Sequence, residues 1–361
     1  MKTATNKTIK TNTPIQVLLP ILLFGTASFS PPLLFAQGSL APPGAPAPTM
    51  KSLAQIEPRT AITNSGAVTI SQSGSYYLTT NITVSSENAV TIAANNVMLD
   101  LNGFTISSTA ASAGFTGIIL TAPGGNKNIT IANGFIQGGV TNNGSGTYSG
   151  SGFGYGITWY DGPPVNVLVS RISISGCLYS GIQLNNGDST VVDSCTVRTV
   201  GDWGINASTI KSSSAIDCGG YAIYGDQVSD CRGQSYNNGI EATTANNCTG
   251  STSGSGSVVG ISATTANNCS GAGSGNDTGI FATTANNCYG TSSNGIGIFA
   301  TTANNCSGTA TGNGTGLSVS GVAIGCYGSS SPTGVGINAN IANSCVVGGG
   351  TTNINHKYNM P

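Results

Sequence analysis

One string of seven residues, Ala-Thr-Thr-Ala-Asn-Asn-Cys, occurs four times verbatim, ending at Cys248, Cys269, Cys288 and Cys306. Each copy follows Gly-Ile and one variable residue and leads into a Gly/Ser-rich stretch. Looser versions extend the pattern both ways, so that turns open at Gly156, Gly181, Gly204, Ala222, Gly239, Gly260, Gly279, Gly297, Gly316 and Gly336. Their intervals run from 17 to 25 residues, and every one holds a single one of the ten cysteines. A repeat of about 20 residues without helical periodicity marks a stacked solenoid of short strands.

Inside a repeat, Ile240, Ala242 and Thr244 alternate with Glu241 and Thr243, the period of two that sends neighbours to opposite faces of a strand. The slot after the isoleucine holds Thr158, Gln183, Asn206, Tyr224, Glu241, Ser262, Phe281, Phe299, Ser318 and Asn338; the slot before it is Ile in nine repeats and Leu317 in the other. Free variation beside near-constancy separates solvent from core. Rungs ~4.8 Å apart set like over like, making interior columns of Ile and Cys. The expected fold is all-β, a single right-handed parallel β-helix of about 13–14 rungs with roughly 19–20 residues each.

Charge supplies an independent argument. Only 6% of residues are Asp, Glu, Lys or Arg, against roughly a quarter in ordinary domains. A repeated charge meets its own copy ~4.8 Å away, a repulsion of ~1 kcal/mol in water and ~3.5 kcal/mol at an effective dielectric of 20. Asparagine escapes this, because amides one rung apart hydrogen-bond to each other, as the column Asn246, Asn267, Asn286, Asn304 allows.

Residues 1–36 read as a signal peptide: Lys2, Lys7 and Lys10, then an apolar run from Ile15 to Phe24, then small residues. The run is short and contains Pro20, which argues against a membrane anchor, and no later stretch is apolar enough to span a bilayer. Export to the extracellular space or cell surface is the expected localisation. Residues 37–60 form a Pro/Ala-rich linker. The β-helix is expected over 61–345, irregular over 61–238 and near-exact over 239–345, with 346–361 as a C-terminal tail that covers or leaves the open end. Gly138 to Gly156 reads as a loop projecting from the side.

The string Asn96-Val-Met-Leu-Asp-Leu-Asn-Gly-Phe-Thr-Ile, with the upstream Gly-Ser-Tyr-Tyr-Leu and the leader Ile-Glu-Pro-Arg-Thr, resembles secreted bacterial right-handed β-helix proteins of the pectin-lyase-like superfamily, in their uncharacterised branch. The resemblance covers roughly residues 38–345. It implies fold far more than activity. Polygalacturonase-like enzymes of the group carry Asn-Thr-Asp, Asp-Asp and Gly-His-Gly segments, and none is present. The single histidine, His356, lies in the tail, and Arg171, Arg198 and Arg232 lack the setting of a pectate-lyase base.

Ten cysteines in an exported chain suggest disulfides. One per turn at a fixed slot fits a buried ladder of free thiols better, so no disulfides are expected; cross-rung bridges and a metal site remain the alternatives.

Rungs 156–241 hold eight acidic and four basic residues. Asp226 and Glu241 fall on diagonal outward slots of adjacent rungs, about 8 Å apart, inside the ~6.5–9.5 Å window of an inverting glycosidase pair. Tyr160, Tyr224 and Trp203 are candidates to stack on sugar rings, and Phe281 with Phe299 forms a second aromatic patch lower down. Asp161, Asp188, Asp193 and Asp202 read as turn residues with Arg198 as a partner for one of them, while Asp188, Asp202 and Asp226 make a weak calcium set. In the Thr-Thr pairs at 243, 264, 283 and 301, one member of each pair is expected inside, which argues against an ice-binding face. A net charge of −1 without a basic patch argues against nucleic acid. No cofactor is implied. Two functions follow: an exported, non-catalytic β-solenoid that contacts glycan, cell-surface component or partner; or, alternatively, a polysaccharide lyase or glycoside hydrolase working along the side wall of rungs 156–241.

Overall fold

A computed structural model describes residues 57–185, 188–254 and 256–361. The signal-peptide segment and nearly all of the linker lie outside the described residues. The rest is a parallel β-solenoid of about 16 turns, one sheet of 31 strands with a separate antiparallel pair.

One repeat shows how sequence becomes coil. The strand Thr278–Asn286 carries Gly-Ile-Phe-Ala on one wall and Thr-Ala-Asn on the next. Register steps over one threonine between them: Ala263 faces Ala282 and Thr265 faces Thr284, while Thr264 and Thr283 have no ladder partner. That skipped residue is a corner. There the alternation breaks, so Thr243, Thr264, Thr283 and Thr301 are exposed and Thr244, Thr265, Thr284 and Thr302 half-buried. Neither member of a pair points inside, contrary to the strict alternation.

The first Asn of each Asn-Asn-Cys joins an amide ladder. Asn267 Nδ2 donates to Asn246 Oδ1 at 2.8 Å, Asn286 to Asn267 at 2.9 Å and Asn304 to Asn286 at 2.9 Å. The second Asn turns the next corner in the left-handed region, φ 54° at Asn247, 53° at Asn268, 52° at Asn287 and 50° at Asn305, which asparagine tolerates better than other side chains. Cysteine then enters the core, and a short strand such as Tyr289–Ser292 makes the third wall. The walls pinch where this strand meets Gly-Ile. A Cβ on Gly279 would stand 2.5 Å from the Gly297 carbonyl oxygen, so glycine is required there.

The isoleucine column runs as expected, Ile182 over Ile205, Ile223, Ile240, Ile261, Ile280, Ile298, Leu317 and Ile337, all fully buried. Each contributes about 1.5–3 kcal/mol by burial. All ten thiols are free and buried, but they occupy two columns rather than one. Cys177, Val200 and Cys218 line up on the third wall. The corner column holds Cys195, then Ser213, whose hydroxyl accepts the Cys195 N–H at 3.1 Å, and runs unbroken from Cys231 to Cys345. Its sulfurs rest on carbonyls: Cys288 Sγ lies 3.3 Å from Ala266 O and 3.2 Å from Asn286 O. Burial pushes the Cys177 thiol up to about 12 and Cys195 to about 11.

The coil opens within one residue of the expected start and runs on past the expected end, with about 16 turns against the expected 13–14. Thr60–Ile62 already pairs with Gly74–Leu78. The supposed tail supplies a strand, Thr351–Tyr358, parallel to Val335–Asn343. The opening turns are pinned by the leader. Arg59 bonds Glu57 and Asp100 at 2.8 and 2.9 Å and lies 4.6 Å from the Tyr77 ring centre. Asp100 also accepts the Asn102 N–H and the Asn133 amide, so the Leu-Asp-Leu-Asn-Gly string has a structural task.

The Gly138–Gly156 segment does not project. Gly139–Asn142 and Tyr148–Ser151 form an antiparallel hairpin that folds onto the side of the coil. Asp217 is its anchor, accepting from Asn142 at 2.6 Å, Tyr148 at 3.1 Å and Thr199 at 2.7 Å. No described helix is long and apolar enough to cross a membrane.

Candidate functional site

The wall bearing the Gly-Ile strands collects the aromatic residues of the charged rungs. Backbone bonds stack the residue preceding each Gly: Gly181 N–H donates to the Trp203 carbonyl at 2.9 Å, Gly204 to Tyr221 at 2.9 Å and Ala222 to Asn238 at 3.1 Å. Trp203, Tyr221 and Asn238 therefore form one column. One residue earlier, Asp202 donates to the Tyr179 carbonyl at 2.9 Å, which places Tyr179 and Asp202 in the neighbouring column.

Tyr224, in the variable slot, leans onto this edge. Its ring stacks on Trp203, 5.7 Å between centres at 15°, and meets Tyr221 edge-on at 5.6 Å and 62°. Tyr155 and Tyr179 make a second pair, 5.1 Å apart. All five aromatics sit on consecutive turns of one edge. Tyr155, Tyr179 and Tyr221 were missed because they lie outside the repeat's variable slot; their place within two residues ahead of the Gly-Ile or Ala-Ile that opens each turn was the available signal. Tyr160 stands apart, 64% exposed.

Tyr224 faces Glu241 and Gly225 faces Ala242, which sets Asp226 beside Thr243 and two residues along the strand from Glu241's partner. Asp226, Glu241, Tyr224 and Thr243 line a recess of about 130 Å³. Asn238 Nδ2 donates to Glu241 Oε2 at 3.4 Å. Burial, and then the Glu241 charge, raise the Tyr221 phenol above its usual value, so it remains a donor. Burial likewise raises the Asp202 carboxyl, and burial, Tyr179 and Asp202 raise Tyr155.

Not every variable slot faces water: Asn206 is 1% exposed and Ser318 8%. The chain between Gln183 and Val191 is longer than its counterpart between Asn206 and Thr209 and brings Thr190 onto Ser208, 3.2 Å between hydroxyls. Asn185 belongs to this insertion rather than to the face. Neither Asn206 Nδ2 nor Oδ1 has a hydrogen-bond partner among the described residues. The Asp188 side chain lies outside the described residues, and no cluster of three or more metal-ligating side chains occurs among those described. Asp193 pairs with Lys211 at 3.5 Å, and among the described residues Arg198 has no ion pair with it.

No protein-family model and no curated protein matches this chain. Two solved structures are similar in fold. The A-module of a mannuronan C-5 epimerase from Azotobacter vinelandii is 11% identical over 80% of this chain and 88% of that one, with a TM-score of 0.39. A protein of Geobacillus virus E2, ORF18, is 14% identical over 80% of this chain and 54% of its own, with a TM-score of 0.25. Likeness at that level concerns coiled β-architecture and carries no chemistry.

Lower on the same wall, Phe281 and Phe299 stack with centres 5.3 Å apart and planes 1° from parallel. Beyond Phe299 lies a cavity of about 440 Å³ lined by that ring, by serines and asparagines, and by Val319 and Ala339.

Proposed function

We propose that this chain is an exported, non-catalytic β-solenoid of the pectin-lyase-like kind that holds an extended glycan along the edge from Tyr155 to Glu241. The observation that carries the reading is the Trp203–Tyr224–Tyr221 cluster, half-buried and bordered by the Glu241 and Asp226 carboxylates. Ring faces suit the C–H faces of sugars, and carboxylates beside them accept hydroxyl donors. The lysine-led apolar N-terminus supports export.

Affinity electrophoresis through gels containing soluble polysaccharides tests this. The intact chain is retarded by at least one, and Trp203→Ala weakens binding about tenfold, as expected for ~1.4 kcal/mol of lost ring contact. Unchanged retardation of Trp203→Ala and Tyr224→Ala would sink the assignment.

The recess shared by Asp226 and Glu241 supports a second reading, in which one acid protonates a glycosidic oxygen and the other activates water. Release of reducing ends by the intact chain, abolished in Asp226→Asn and Glu241→Gln, would replace the binding role with this one.

A further inference from the structure

We propose that the lower part of the same wall is a second carbohydrate site, specific for an uncharged oligosaccharide and built on Phe299 and the amide grid behind it. It rests on different rungs from the Trp203 cluster and stands without it.

The site arises from a change in side-chain size along one slot. Phe281 lies over Phe299, Phe299 over Ser318 and Ser318 over Asn338. Phe281 is 47% exposed and covers one face of the Phe299 ring. The other face of Phe299 looks along the solenoid axis, onto a rung whose equivalent position is a hydroxymethyl. That drop opens the cavity of about 440 Å³, within the ~300–1,000 Å³ range of small-ligand sites. One end is a phenyl face; the sides carry Ser318 in register with Asn338, and Ser320 and Asn340 where a bulge interrupts the pairing.

The amides behind the ring are ordered by one another. Asn353 Nδ2 donates to Asn338 Oδ1 at 3.0 Å, and Asn355 Nδ2 to Asn340 Oδ1 at 3.2 Å. Both bonds run the same way along the axis, Asn338 Nδ2 in turn donates to Ser318 Oγ at 3.5 Å, and all four amides line the cavity. An amide has two N–H donors and two acceptor lone pairs, and these contacts consume only part of them. Asn340 is exposed, and its Nδ2 has no protein partner among the described residues.

No charged side chain lines the cavity. A carboxylated or sulfated ligand would lose hydration there without gaining a counter-charge. A pyranose fits on each count, having an apolar C–H face for the phenyl ring and a rim of hydroxyls that both donate and accept. A ring lying flat on Phe299 stands across the axis, so the oligosaccharide runs along the strands, crossing the wall.

The test is isothermal titration calorimetry of the full chain with cellohexaose, xylohexaose and mannohexaose, and with hexagalacturonate as the charged comparator. At least one neutral hexaose binds in the millimolar range or tighter, and hexagalacturonate binds at least tenfold more weakly. Phe299→Ala and Asn340→Leu each reduce affinity tenfold or more, whereas Phe299→Tyr retains it. Phe299 is half-buried and Asn340 exposed, and thermal unfolding at the wild-type temperature establishes that both variants are folded. Failure of all three neutral hexaoses to bind overturns the proposal, as does wild-type affinity in Phe299→Ala or equal affinity for hexagalacturonate. Loss of binding in Trp203→Ala with Phe299→Ala unaffected assigns the sugar to the upper edge and also overturns it.

Discussion

Replacing two neighbouring ladder asparagines by aspartate tests the reason this fold discards charge. Asn267 donates to Asn246 at 2.8 Å and accepts from Asn286 at 2.9 Å. Asn267→Asp alone loses one donor and still accepts from Asn286, a cost of about 1 kcal/mol; Asn286→Asp costs about the same. In the double variant two carboxylates face each other one rung apart. At ~4.8 Å they add ~1 kcal/mol in a water-like medium and ~3.5 kcal/mol at an effective dielectric of 20. Both positions are half-buried, so the coupling falls between these limits.

The pH dependence has a definite sign. Mutual repulsion raises the folded-state pKa of the pair above the unfolded value of about 3.9. The double variant is therefore penalised at neutral pH, and the penalty fades as pH falls and one carboxyl takes up a proton, which it can donate to its neighbour. Urea unfolding of wild type, both single variants and the double variant at pH 7 and pH 3.5 measures this. Additivity within about 0.5 kcal/mol at pH 7, or a coupling that survives unchanged at pH 3.5, refutes the electrostatic account of the composition.

Two further outcomes are expected. Asn206→Leu should stabilise the fold by about 1–2 kcal/mol, because it removes a buried amide without partners; a loss of stability in urea unfolding would mean the amide is bonded after all. Burial and Asp217 raise the Tyr148 phenol above its usual value, so its bond to Asp217 contributes fully below pH ~10, the unfolded pKa, and is lost as pH climbs through the higher folded value. Hydrogen exchange across Gly139–Ser151 should accelerate at strongly alkaline pH in the wild type, while Tyr148→Phe should be fast already at pH 8 and gain no comparable step.

The core was legible because identity repeats at the spacing of the coil. A constant Ile beside a free slot names inside and outside without coordinates, and the register follows it from Ile182 to Ile337. What went unread were departures from periodicity. The corner threonines break the alternation by geometry, not by residue type. The insertion ahead of Val191 sets Thr190 on Ser208, and beside it Asn206 is buried although its slot varies freely in sequence. The 138–156 segment has the composition of a free loop, yet one acceptor, Asp217, 75 residues from Asn142, holds it down. Thr351–Tyr358 lacks the Gly-Ile mark but needs only backbone pairing to add a rung. Of the site, Trp203, Tyr224, Asp226 and Glu241 were legible one by one. Their assembly with Tyr221 was not, because ring contacts across turns leave no trace in spacing.

The sulfur column carries a kinetic consequence. Once wound, the protein offers an oxidant nothing to attack, since every thiol is sealed. Before winding, ten cysteines lie open, four of them in indistinguishable heptapeptides, and exchange has no means of telling a right pairing from a wrong one. Any mispaired bridge is a staple across turns that no longer fit. Folding thus runs against a chemical deadline, and the fraction of chains that finish in a purely oxidising tube should depend on how long reductant is left in it.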